Sequence, residues 1–152
     1  MSTGAQILIA DDHALFRKGF GLLLRDALPG VEIKEVAGFD AALDLLASSP
    51  QMTGAFFDLM MPGMAGPDSI RAVREAYPAL HFAAVTGLED RALALQVIDA
   101  GANGYILKSS PEDEILRGVN RVMGGETYLP SVLPQTPDAK STWTPPEVSL
   151  KA

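Results

Sequence analysis

The chain has 152 residues, 47% hydrophobic and 20% charged, the proportions of one soluble globular domain built round a single core. Nineteen acidic against twelve basic side chains give a net charge of −7, a surface that repels the nucleic-acid backbone and favours basic partners, so the chain is not expected to grip DNA by itself. The absence of cysteine excludes disulfides, thiolate catalysis and cysteine-bound metals. No apolar run approaches the ~20 residues that a bilayer requires, so no membrane association is expected. Residues 1–6 lack the basic start and apolar stretch of a signal peptide, and the cytoplasm is the default location.

Gln6 to Ala10 is a short apolar run that ends in Asp11-Asp12. Between Ala14 and Leu28 the positions Leu15, Phe16, Phe20, Leu22, Leu23, Leu24 and Ala27 recur at helical spacing, which predicts an amphipathic helix stopped by Pro29-Gly30. Val31, Ile33 and Val36 alternate with charged residues, as in a strand nearer a sheet edge, and Phe39 to Ala47 reads as a second helix. Gly54 to Phe57 has the non-alternating apolar character of a strand buried on both faces, and it ends abruptly at Asp58. A third helix starts with Pro67 in its first turn and runs to Ala76. Leu80 to Val85 is a fourth strand ending at Thr86-Gly87, Glu89 to Ala100 a fourth helix, and Tyr105 to Leu107 a short strand ending at Lys108. The fifth helix is expected to begin with a Ser110 cap and Pro111 at its first position, and to stop at Gly124-Gly125. Strands alternating with helices predict an α/β fold, a doubly wound five-stranded parallel sheet with helices on both faces. From Pro130 the composition shifts to Pro, Ser, Thr and Lys, and Pro134 to Thr142 reads as linker or tail, with Trp143 standing alone beyond it.

Four of the five strands deliver a polar group to one carboxyl edge: Asp11 and Asp12, Asp58, Thr86 and Lys108. Each has a bland explanation by itself: helix cap, turn cap, turn hydroxyl, solvated charge. Their coincidence on the edge where open α/β sheets place ligands argues for a site. Gathered carboxylates repel one another unless a cation joins them, and Mg²⁺ accepts one or two carboxylates plus water. Zinc is disfavoured, because neither His13 nor His81 has a partner at ligand spacing. Acidic metal ligands, a fixed ammonium and a hydroxyl are the parts that hold a transferring phosphoryl group, with Asp58 able to act as nucleophile.

The order Asp-Asp, Asp, Thr, Lys at successive strand ends resembles the receiver domain of two-component response regulators, over roughly residues 5 to 125. Ile9 to Gly19, Ala100 to Lys108 and Gly125 to Pro130 are similar to the LuxR/NarL-type branch, whose output is a helix-turn-helix DNA-binding domain. The resemblance implies a flavodoxin-like strand order 2-1-3-4-5, with residues 1–128 as receiver and 129–152 as linker or tail. It implies that Asp58 accepts a phosphoryl group from a histidine kinase or phosphotransfer protein. Asp12 and Asp58 would ligate Mg²⁺ directly, Asp11 through water, and Met60 by its carbonyl. Lys108 and Thr86 would hold phosphate oxygens, Gly87 would leave the phosphate room, and Tyr105 would be the aromatic switch that turns inward as Thr86 moves. The face formed by helix four, strand five and helix five would change on phosphorylation, with a homodimer or an output domain as its target. Only self-phosphorylation and self-dephosphorylation are expected as chemistry.

Departures from the family pattern are local. Ala65 stands where a polar residue is usual, which removes a cap for the third helix worth about 1 kcal/mol. Met60 and Leu88 flank the expected path of hydrolytic water and are expected to slow loss of the phosphate. Trp143 to Val148 looks like the opening of an output domain, yet the sequence stops four residues later, so a fragment or degenerate form is the expectation, with a free-standing receiver carrying a vestigial tail as the alternative. Three other readings compete. An aspartate-nucleophile phosphatase wants Asp-x-Asp on the first strand, where Asp11-Asp12-His13 stands. A nucleotide- or flavin-binding module wants a glycine-rich loop there. A phosphorylation-independent interaction domain has no need of Asp58, Thr86 and Lys108 together.

Overall fold

The computed structural model describes residues 5–131 and 133. Five strands and five helices alternate: β1 (Gln6–Ala10), α1 (Ala14–Ala27), β2 (Glu32–Val36), α2 (Phe39–Ser48), β3 (Gly54–Phe57), α3 (Pro67–Ala76), β4 (His81–Thr86), α4 (Arg91–Ala100), β5 (Gly104–Leu107) and α5 (Glu112–Met123). The strands form one sheet in the order β2-β1-β3-β4-β5, every neighbouring pair parallel. Chain order reverses between β1 and β3, which pair with Ala10 opposite Phe57. That is the switch point at which such sheets open a crevice beyond their carboxyl ends.

Alternate residues of each inner strand enter opposite cores, which is why these strands are apolar throughout. Ile7, Ile9, Phe56, Val85 and Ile106 meet Phe20 and Leu24 of α1 and Ile115, Val119 and Val122 of α5. Leu8, Phe57, Phe82, Ala84 and Tyr105 meet apolar residues of α2, α3 and α4. β2 is an outer strand, and its residues are exposed or half-buried, in keeping with the charges that alternate along it.

Three sequence expectations need correction. Leu15 and Leu22 do not face the core; they are 87% and 67% exposed, because the inward stripe of α1 runs through Phe20 and Leu24. Ser110 does not cap α5: Pro111 occupies the N-cap position with no side-chain cap bond, and the Ser110 amide closes a turn on the Leu107 carbonyl. α4 begins at Arg91 rather than Glu89, because Asp90 caps it by accepting from the Leu93 amide at 3.0 Å. The absent side chain at Ala65 is answered from inside the helix, where the Ser69 hydroxyl accepts from the Ala65 amide at 2.7 Å. Residues 134–152, including Trp143 and the Thr144 to Val148 segment, lie outside the described residues.

Candidate functional site

The two central strands carry the site. One residue past β3 the Asp58 amide still donates to the Ala10 carbonyl at 2.9 Å, and one residue past β1 the Asp11 amide donates to the Val36 carbonyl at 3.1 Å. The sheet ladder therefore fixes the backbone of both aspartates, and both are buried. Asp58 Oδ1 accepts from the Met60 amide at 3.0 Å, and Asp11 Oδ1 from the His13 amide at 2.7 Å. Lys108 Nζ lies 2.8 Å from Asp11 Oδ2 and 3.3 Å from Asp58 Oδ2, bridging the two carboxylates. Its backbone is placed by donation to the Thr86 carbonyl at 2.9 Å, and its ammonium stands 4.6 Å from the centre of the Phe16 ring.

Burial pushes the Asp58 carboxyl above its usual range. The Met60 amide opposes that rise, the Asp11 charge adds to it, and Lys108 opposes it. Asp12 is more open, with Oδ1 3.6 Å from His13 Nδ1. One donor atom from each of Asp11, Asp12, His13 and Asp58 lies within 4.8 Å of the others. Three carboxylates against one ammonium leave surplus negative charge, and a set dominated by oxygen suits a hard divalent cation. The residues present therefore fit Mg²⁺.

Thr86 is fully buried at the end of β4, and its hydroxyl accepts from the Leu88 amide at 3.3 Å. Tyr105 is already turned inward, fully buried, with its hydroxyl donating to the Leu88 carbonyl at 2.7 Å. A Cβ added at Gly87 would meet nothing within 4 Å, so this turn is open. The crevice thus brings Asp11, Asp12, Asp58 and Lys108 together, and the Leu88 backbone links Thr86 to Tyr105.

Residues 7–120 match the response regulator receiver domain family. The chain belongs to that family. The glycerol metabolism activator of Pseudomonas putida is 37% identical over 125 residues, covering 82% of this chain and 57% of that protein. A LuxR family DNA-binding response regulator from Silicibacter pomeroyi superposes with a TM-score of 0.73 at 26% identity, over 84% of this chain and 98% of the other. A two-component response regulator of the LuxR family from Aurantimonas sp. SI85-9A1 gives 0.73 at 29% identity, over 82% and 88%. The receiver is of the LuxR/NarL type, and it is a signalling domain. The chain spans little more than half the length of the curated relatives it matches.

Sequence spacing missed three parts of this receiver's site. His13 does have partners: its Nδ1 lies 3.3 Å from Asp11 Oδ1, 3.7 Å from Asp58 Oδ2 and 3.2 Å from Lys108 Nζ, because β1 and β3 are neighbours. Arg17 donates to the Asp11 carbonyl and pairs with Glu35 at 3.0 Å, anchoring the acidic turn to β2. Phe16 forms the wall beneath Lys108. Both sit on the α1 stripe, where periodicity shows only an apolar or solvated face.

Proposed function

We propose that Asp58 is the phosphoacceptor of this receiver, supplied by a histidine kinase or phosphotransfer protein and dependent on Mg²⁺. The observation that carries the reading is a buried carboxylate at the sheet's switch point, bridged by Lys108 to Asp11. Asp58 Oδ2 attacks phosphorus, the bond from phosphorus to the donor's imidazole nitrogen breaks, and that nitrogen takes a proton from solvent. Lys108 neutralises charge on the transferred group, and the Thr86 hydroxyl takes another phosphate oxygen once it leaves the Leu88 amide. Asp12, Asp58 and the Met60 carbonyl would hold Mg²⁺ directly and Asp11 through water; the ion supplies charge neutralisation to the phosphoryl oxygens. No turnover of an external substrate accompanies this step.

Residues 1–128 form the receiver and 129–152 its linker in this reading, with DNA reached only through an output domain that follows. The protein acts in the cytoplasm, pairs with a second copy when switched, and regulates transcription; among the described residues no helix is long and apolar enough to cross a membrane. The half-buried Met60 and Leu88 restrict water at the acyl phosphate and lengthen its life. The test is intact mass after incubation with acetyl phosphate and Mg²⁺. One phosphoryl group is expected on the wild type and none on Asp58→Ala or in chelator. A gain that survives Asp58→Ala would move the acceptor elsewhere, and no gain from any donor, kinase included, would leave a phosphorylation-independent interaction module.

A further inference from the structure

Beyond α5 the chain turns at Gly125, whose φ of +82° suits glycine, and runs back along β5. The Tyr128 amide donates to the Asn103 carbonyl at 2.9 Å, and the Tyr105 amide donates to the Tyr128 carbonyl at 3.1 Å, a parallel bridge on the strand's open edge. Tyr128 is buried with the α1–α5 core, and its hydroxyl donates to Glu114 Oε2 at 2.7 Å. Gly118 admits the ring, since a Cβ there would stand 2.9 Å from it. Leu129 and the buried Leu133 join the other core, the one that holds Tyr105, Leu93 and Val97. Successive side chains thus grip opposite faces of the sheet, as in a strand.

We propose that residues 127–131 with Leu133 form a strap on the β5 edge whose seating is coupled through Tyr105 to phosphorylation at Asp58; this rests on the phosphoacceptor reading above. Tyr105 meets the strap through its amide and the β4–α4 turn through its hydroxyl. With the strap seated, the ring is wholly buried, and Leu129 and Leu133 pack into the same apolar core that the ring occupies. An inward ring adds apolar contact to the core that Leu129 and Leu133 join, and its backbone amide holds the Tyr128 carbonyl, so an inward Tyr105 and a seated strap support each other. Phosphorylation that favours inward Tyr105 therefore favours the seated strap.

The experiment is amide hydrogen exchange at Tyr105 and Tyr128 in the 152-residue chain, before and after acetyl phosphate with Mg²⁺, with intact mass read in parallel. Exchange at both amides is expected to slow on the order of five- to tenfold on phosphorylation, and Leu133→Ala to speed it in both states. Full phosphorylation without a change in exchange overturns the coupling and leaves Asp58 as acceptor. Unchanged exchange in Leu133→Ala overturns the strap itself. No mass gain with any donor overturns the phosphoacceptor reading and the coupling with it, a result told apart by the mass alone.

Discussion

Asp58 is held in a position that works against folding. Its folded carboxyl titrates above the ordinary value of 3.8, chiefly through burial, so protonation favours the folded state. Its contribution is most favourable below pH 3.8 and is lost as pH rises through the higher folded value, where the buried carboxyl gives up its proton and takes a charge. Asp58→Asn removes that charge and is expected to raise the melting temperature at pH 7 in chelator by a few degrees, about 1 kcal/mol. At pH 4 the gain should shrink, and Mg²⁺ should stabilise the wild type more than the variant. Melts at two pH values with and without Mg²⁺ check both. A larger gain at pH 4 would reverse the sign derived from burial. Lys108 has the opposite role: replaced by Met, it leaves Asp11 and Asp58 facing each other, with a loss of about 1–3 kcal/mol at pH 7 that Mg²⁺ partly restores.

At the scale of elements, α1 separates apolar residues that the sequence groups together. Leu24→Ala opens a cavity in the core and should cost about 2–5 kcal/mol, whereas Leu15→Ser and Leu22→Ser should each stay within about 0.5 kcal/mol, all read by urea unfolding. The far end of α3 and α4 is tied by one side chain. Arg74 donates to the carbonyls of Gly101, Tyr77, Pro78 and Leu80 and to Asn103 Oδ1, with its guanidinium 4.6 Å from the Phe82 ring centre. Burial lowers its pKa, but Arg remains protonated, so each carbonyl accepts from a charged group. Arg74→Met keeps the stem and removes the donors, and a loss of about 2–4 kcal/mol is expected. A change below 0.5 kcal/mol would mean that water replaces the guanidinium at all five acceptors.

For the whole molecule, net charge and topology act together. Parallel strands place every strand end on one edge, so the acidic crevice is a consequence of the fold rather than of any local motif. The net charge of −7 predicts no binding of duplex DNA by this chain at physiological salt, phosphorylated or not; a salt-dependent mobility shift would contradict it. The edges of the sheet differ. β2 ends one side with exposed charge, and β5 on the other is bridged by Tyr128.

The sequence by itself determined the ten elements, their alternation and the polar residues at four strand ends. Those follow from short-range rules: apolar runs of strand length, helical spacing, and breakers such as Pro29-Gly30. The strand order came from the resemblance to response regulator receivers, and the matched structures agree with it. Only the tertiary structure decided which apolar face of α1 is covered, because periodicity marks a stripe without saying how wide its partner is. Only it placed His13, Phe16 and Arg17 at the acidic site, since those contacts join α1 to β2, β3 and the end of β5. The α5 start at Glu112 and the strap along β5 were likewise invisible to local rules, because a backbone donor's partner is chosen by whichever strand packing brings alongside.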